Sequence, residues 1–393
     1  MAVLLALGMA SGMLVAATGA RGGAGVTGSA ESALLLSVSC ASAGMCMAVG
    51  SRQSTGELGA LAEKWNGTTW TIIPAAHPRG AIHTYFYAVS CSSSHACMAV
   101  GGYSTKSHPG GSVPLAELWN GKTWRVKVTP RPTGDSALGS VSCRSATWCM
   151  AVGEGGTSTN KGFSEEWDGR RWTIKRTASP PGTTFSTLES VSCATARVCM
   201  AVGDYQVHHS AHTRTLAELW NGKKWARRAT LNPVSGANGS SLNGVSCRSA
   251  IACVAVGSYV DVSDSGGLAL AETWNGMVWT RAAVDDDPTQ VRVLEGVSCR
   301  STNACVAVGI SESTSPSIGS TLAERWTGDQ WTVEGTPNPN GATDSELDGV
   351  SCASPAACVA VGSYFTNSGM GGLSLPLTEV WNGVSWTLVT TPF

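Results

Sequence analysis

The stretch V-S-C-S-S-S-H-A-C-M-A-V-G-G-Y, from Val89 to Tyr103, is followed after a loose run by L-A-E-L-W-N-G-K-T-W, from Leu115 to Trp124. The rest of the chain repeats it. All fourteen cysteines fall into pairs with five residues between the partners: Cys40 with Cys46, Cys91 with Cys97, Cys143 with Cys149, Cys193 with Cys199, Cys247 with Cys253, Cys299 with Cys305, and Cys352 with Cys358. Each pair is expected to be a structural disulfide. Fourteen of the fifteen tryptophans give a second count at a fixed spacing of their own: Trp65 with Trp70, Trp119 with Trp124, Trp167 with Trp172, Trp220 with Trp225, Trp274 with Trp279, Trp326 with Trp331, and Trp381 with Trp386. Trp148 alone stands outside. Seven units at a period of about fifty residues are too long for leucine-rich or ankyrin repeats, and one such unit cannot bury its own apolar faces.

Each unit reads as four short strands. In the second, Tyr85, Tyr87, Val89 and Cys91 alternate along a first strand, which puts Tyr85 and Tyr87 on one face, and Cys97 to Gly101 form a second strand of small apolar residues suited to burial on both faces. With five residues between them the two strands make a hairpin, and the cysteines face each other across its mouth within disulfide reach. A variable run of Gly, Ser and Pro leads to Leu115, Glu117 and Trp119 on a third strand. Asn120-Gly121 supplies a turn, because both residues tolerate positive φ, and Trp124 opens the fourth strand.

Four strands repeated seven times predict an all-β, seven-bladed β-propeller with four antiparallel strands and one disulfide per blade. A linear solenoid is the alternative, and it would need atypical end repeats. The blades are expected to start near residues 34, 85, 138, 188, 242, 294 and 347 of a single domain spanning 31–393. The last blade is then made wholly from the C-terminal segment, and the ring closes by side-chain packing between blades seven and one. Residues 1–30 differ in kind. An apolar run from Val3 to Ala17, with small residues after it and cleavage expected after Ala20 or Ala30, reads as a secretory signal. The first basic residue is Arg21, so an uncleaved membrane anchor is the alternative. Paired cysteines suit an extracellular, oxidising compartment.

The order of strand, Gly-Gly, loop, aromatic strand, turn and Trp resembles the kelch repeat of galactose-oxidase-like propellers, most closely at Gly101-Gly102 with Trp119 and Trp124. Gly50, Gly203, Gly257, Gly309 and Gly362 keep the first glycine only. The turn-plus-Trp segments Gly67-Thr68-Thr69-Trp70 and Gly121-Lys122-Thr123-Trp124 are similar to the Asp box of sialidase-like propellers, without its aspartate. A galactose-oxidase-like activity would imply a copper site with a Cys crosslinked to Tyr, and here every cysteine has a partner. A sialidase-like one would imply clustered arginines, whereas Arg125, Arg227 and Arg281 are scattered.

Charged residues make up 13% of the chain, about half the usual share, at a net charge of −1. That balance gives no footprint for nucleic acid. Glu63, Glu117, Glu165, Glu218, Glu272, Glu324 and Glu379 each precede a Trp by two residues. They are expected to accept hydrogen bonds from neighbouring backbone N–H groups or from the recurring serines Ser39, Ser90 and Ser142, since a buried charge must be paired. Features present seven times are architecture, so function is sought in features present once. The hairpin loops share one uniform rim. The second-to-third loops and the connections between blades share the opposite, variable rim, which is the expected working face.

On that rim the candidate binding residues are Asp204, Tyr205, His208, His209 and His212, with Asp261 and Asp264 in the next blade near Asp285, Asp286 and Asp287. Histidines at this spacing allow a divalent metal, though no glycine-punctuated calcium-loop spacing is present. No cofactor is required by any motif. The function expected is a secreted, monomeric recognition module for a glycan, peptide, protein or cell-wall ligand, with no nucleic acid and no membrane contact beyond an N-terminal anchor. The alternative is an extracellular propeller enzyme of oxidase, lyase or glycosidase type with a metal or acid/base site on the same rim.

Overall fold

The computed structural model describes residues 31–393 apart from 55–56, 133, 158–159, 209, 211, 233–238, 262–266, 286, 288, 314–317 and 367–372. The leader, His209, Asp264 and Asp286 therefore lie outside the described residues. Seven antiparallel sheets follow one another along the chain, each pairing its strands in sequence order. Blade one consists of Ser32–Ser42, Met45–Ser54, Glu57–Trp65 and Trp70–Ile72. Blade four departs by splitting its first strand into Thr183–Ser186 and Ser190–Thr195, both paired with Val198–Val207. The first strands of successive blades touch one another around a common axis, with Ala342–Ser354 meeting Ser32–Ser42 to close the ring. The fold is a closed seven-bladed propeller with four strands to a blade.

The second strand of each blade explains the composition. Its M-A-V or V-A-V core is buried on both faces, and Ala48, Ala99, Ala151, Ala201, Ala255, Ala307 and Ala360 are wholly inaccessible. Each hydrophobic cluster joins two blades: Met47, Val49 and Ala62 pack against Phe86, Leu115 and Trp124 of the next sheet. The two tryptophans of each blade face each other across the third and fourth strands, with ring centroids 5.4 to 5.7 Å apart. Offset, tilted pairs of this kind add favourable quadrupole contacts to the area they bury.

The cysteines are register partners in every blade, directly opposite each other on the first and second strands. Cys40 is bonded to Cys46, Cys91 to Cys97, Cys143 to Cys149 and Cys193 to Cys199. Cys247 is bonded to Cys253, Cys299 to Cys305 and Cys352 to Cys358. Their Cα atoms lie 3.9 to 4.0 Å apart throughout, so the sequence pairing holds in all seven blades and no cysteine is free. The second cysteine of each pair opens a buried strand: Cys46, Cys97, Cys149, Cys199, Cys253, Cys305 and Cys358 are all buried.

Around the ring, the first cysteine's N–H donates to a serine Oγ of the preceding blade at 2.9 to 3.0 Å, as in Cys91 to Ser39, Cys143 to Ser90 and Cys193 to Ser142. Cys40 donates to Ser351 in the same way, at 2.9 Å, across the junction of the last blade with the first. Leu35, Val38 and Trp65 of blade one pack there against Val359 and Val361 of blade seven. Among the described residues the ring thus shuts with no strand shared between its two ends.

These serines are engaged by cysteine amides, so they are not the partners of the recurring glutamates. The carboxylates instead reach the connection leaving the preceding blade: Glu117 accepts from Ala76 N–H at 2.8 Å, Glu218 from Ala178 at 2.7 Å and Glu272 from Leu231 at 3.2 Å. Each donor lies six residues after a fourth-strand Trp. At the corresponding position before Glu165 the residue is Pro130, which has no N–H, and both Glu165 oxygens lack a hydrogen bond. Burial pushes the carboxyls of Glu117, Glu165 and Glu379 up to about 8 and those of Glu63, Glu218 and Glu272 to about 7.

Candidate functional site

One backbone irregularity, repeated in every blade, builds the interior of the channel. The register of first and second strands slips by one residue between Leu35 and Ser37, Phe86 and Ala88, Leu138 and Ser140, Leu242 and Gly244, Leu294 and Gly296, and Leu347 and Gly349. In blade four, Glu189 N–H bonds the Val202 carbonyl while Ser190 is the register partner of Val202, so Glu189 is the residue in excess there. A bulge of this kind strands an extra residue and bends the strand. Opposite each bulge the second strand carries a glycine, and a Cβ there would lie 1.9 to 2.4 Å from a first-strand carbonyl oxygen. This close approach accounts for the invariant glycine of the repeat.

The extra residues are Leu36, Tyr87, Gly139, Glu189, Asn243, Glu295 and Asp348. All seven line a central cavity of about 460 Å³ that runs from mid-channel towards the variable rim. Glu154 and Glu312, at the ends of second strands, add two carboxylates nearer the mouth, while Val291, Val293 and Ile310 supply an apolar wall. Among the described residues no Lys, Arg or His lines this cavity. The bulge position is therefore sevenfold in its backbone and singular in its side chains.

Without a cation, low-dielectric surroundings favour the neutral carboxyl. Burial, reinforced by the nearby Asp204 and Glu154 charges, raises Glu189 to about 7 against the opposing Thr187 hydrogen bond. Glu295 is likewise raised to about 7 by burial and by Glu346 and Glu189, with Asn243 drawing it partly back. Asp348 is pushed well above the usual range by burial and by Glu346 and Glu295. Burial also raises Glu346, whose Oε1 accepts from Ser363 at 3.2 Å, and Glu154, whose Oε2 accepts from Asn160 at 3.0 Å. Protons and bound donors compete for the same oxygens in such a cavity.

The residues singled out from sequence are divided between places. Asp204 is buried, accepts from Thr187 Oγ1 at 2.9 Å, and is raised by burial to about 6. It belongs to the wall behind Glu189. Tyr205, half-buried, packs against the core shared by blades three and four. His208 and His212 lie on the exposed loop beyond, where His208 N–H bonds the Gly182 carbonyl at 3.1 Å. Asp261 is half-buried, just after Ala252–Val260. Asp285 pairs with Arg292 at 3.6 Å, and Asp287 accepts from Thr289 N–H and Oγ1 at 2.9 and 2.7 Å, so both serve the local loop. Among the described residues no group of three His, Cys, Asp or Glu is placed to hold a metal. Tyr85 and Tyr87 do share a face, 5.1 Å apart, but Phe86 between them fills the core and Tyr87 meets the channel. Trp148 packs against the blade-four core.

Sequence reasoning missed Glu189, Asn243, Glu295 and Asp348. The signal was present: in Leu/Phe-x-(Ser/Gly/Ala)-Val-Ser-Cys every position is nearly constant except x, which is Leu, Tyr, Gly, Glu, Asn, Glu and Asp in turn.

No family model matches the chain, and no curated protein is similar to it in sequence. Among solved structures it is similar to an ulvan lyase of a new polysaccharide lyase family, with TM-score 0.56 and 9% identity over 88% of this chain and 92% of that one. It is also similar to the β-propeller domain of the Trilobed protease from Pyrococcus furiosus, described as having an open velcro topology, with TM-score 0.51 and 8% identity over 91% and 98%. At these identities the likeness shows the fold alone, a seven-bladed β-propeller. No described helix is long and apolar enough to cross a membrane.

Proposed function

We propose that this chain is a recognition module that takes its ligand in the carboxylate-lined mouth of the channel, on the variable rim. One observation carries the reading: at the bulge, where the backbone repeats in every blade, the side chains diverge and Glu189, Glu295 and Asp348 converge on one cavity with no basic side chain among the described residues. Such a wall suits a ligand with ammonium or several hydroxyl donors, such as a basic peptide segment or an amino sugar, with its apolar part against Val291, Val293 and Ile310. We read the repeats as kelch-like on their Gly and Trp pattern, and the chain as exported on its leader and paired cysteines, acting outside the cell as a monomer. An enzymatic reading keeps one specific support, the carboxyls that burial holds near neutrality, since a general acid works best there.

Calorimetric titration with lysine-rich peptides, whose ammonium groups stay charged across the range, tests the proposal. Binding is expected at pH 8, weakening as pH falls through about 7 and Glu189 and Glu295 take up protons. It should drop about tenfold or more in a Glu295→Gln, Asp348→Asn double variant. Equal binding by that variant overturns the reading, and product formation abolished by it establishes the enzymatic one.

A further inference from the structure

The uniform rim is built from two short turns per blade, one inside the cysteine pair and one inside the tryptophan pair. In blades two to five these turns hold eight basic side chains, among them Arg170, Arg171, Arg197, Lys223 and Lys224, against one acid, Asp168; in the other three blades they hold one base and one acid. All eight are exposed, and among the described residues only Arg171 makes an ion pair, with Asp168 at 3.9 Å. The turns of a blade abut, since a Cβ on Gly222 would lie 3.1 Å from Arg197 Cβ. Bases about fifty residues apart in sequence thus gather on one arc of one face, hidden in a net charge of −1.

Blade five adds a second, independent feature to the same arc. Met277 and Val278 occupy its tryptophan-pair turn, 81% and 53% exposed, beside Ile251 at 65%. A Cβ on Gly276 would come within 2.6 Å of Ile251 Cγ2, so the three form one apolar tip. The turn does not need them: Asn275 Oδ1 accepts both backbone N–H groups at 3.0 Å, and Gly276 takes the positive φ of 97°. Equivalent positions elsewhere hold Thr68 and Thr69, Lys223 and Lys224, or Val384 and Ser385, so blade five alone places two apolar residues there.

We infer that this arc of the uniform rim docks on an anionic lipid surface, the bases meeting headgroups while Ile251, Met277 and Val278 insert between them. Charge alone would fit any polyanion. The apolar tip beside it selects a bilayer, because exposed aliphatic side chains gain from the acyl boundary and gain nothing from a solvated acidic polymer. The surface lies opposite the channel mouth, so docking leaves the mouth pointing away from the membrane.

The test is flotation of the full chain, leader identical in every variant, with vesicles of phosphatidylcholine alone or mixed with phosphatidylglycerol. Native protein is expected to bind the mixed vesicles better, and salt to weaken binding. A Lys223→Glu, Lys224→Glu variant should lose about tenfold or more in affinity. A Met277→Ser, Val278→Ser variant should lose about tenfold while keeping the salt dependence. Lys106→Glu, on the opposite rim, should bind as native, and circular dichroism checks that the variants fold. The inference is overturned if charged and neutral vesicles bind equally, if neither turn variant differs from native, or if DNA or an acidic polysaccharide is captured with no dependence on Met277 and Val278.

Discussion

The two rims of the ring are ends of the same strands, yet one is short, covalently pinned and sevenfold, while the other is long, varied and feeds the channel. On the uniform rim each hairpin is closed by a disulfide, and the first tryptophan's indole N–H bonds a turn carbonyl, as in Trp119 to Ser94 and Trp274 to Ala250. On the variable rim, Asp285 and Asp287 spend their hydrogen bonds on their own loop, and Tyr85 Oη meets Ser112 Oγ at 2.5 Å. Constraint at one end lets residues at the other change without loss of the fold. The bulge lies between the two regimes: its backbone belongs to the uniform half and its side chains to the variable half.

The comparison breaks most visibly if the disulfides are removed. Each closes a loop worth about 2 kcal/mol, so reduction of all seven should lower the melting temperature strongly and raise hydrogen exchange first in the cysteine hairpins. A uniform loosening of both rims would contradict the contrast.

Next in size is the effect of pH. Glu63, Glu117, Glu165 and Glu379 ionise near 4.5 when unfolded and near 7 or 8 when folded, so between those values the folded chain binds more protons. Stability should therefore fall as pH rises from about 4.5 to about 8 and level beyond. Melting temperatures across that range check the sign, and Glu165→Gln, which removes the unbonded carboxylate, should flatten the curve.

A pair of glycines sharpens the contrast. Gly257→Ala would put a Cβ 2.1 Å from the Ser241 carbonyl oxygen and should cost about 2–4 kcal/mol in denaturant unfolding, whereas Gly110→Ala on the variable side meets nothing within 4 Å and should be close to neutral. The smallest effect is expected at the junction of the ring. Ser351→Ala removes the acceptor of Cys40 N–H and should cost about 1 kcal/mol, the same as Ser142→Ala away from the junction. A larger loss at Ser351 would mark the junction as a weak point.

The propeller was legible because its two counts are independent: Cys and Trp pairs each recur at a fixed spacing, and nothing else about a four-stranded blade competes with that pattern. The site was not, because strand alternation is the rule a bulge breaks. Read with period two, Tyr85 and Tyr87 share a face and Phe86 opposes them, and nothing announces that Tyr87 is the surplus residue at the channel. Glu189, Glu295 and Asp348 are concealed in the same way, as ordinary polar positions of half-buried strands. The basic arc escaped for a different reason: each turn contributes only one or two charges, and only the ring adds them together. The recurring glutamates were read as architecture with two candidate donors, and Glu117, Glu218 and Glu272 meet the first of them, a backbone N–H, because Cys N–H groups had already taken the serines.

Because blades seven and one meet through the same serine, cysteine and aliphatic contacts as their neighbours do, nothing among the described residues sets that junction apart from the others. Each Cys–Trp unit is in that sense an interchangeable stave, and the scaffold is open to gain, loss or reordering of whole staves, each bringing its own residue to the hoop's interior.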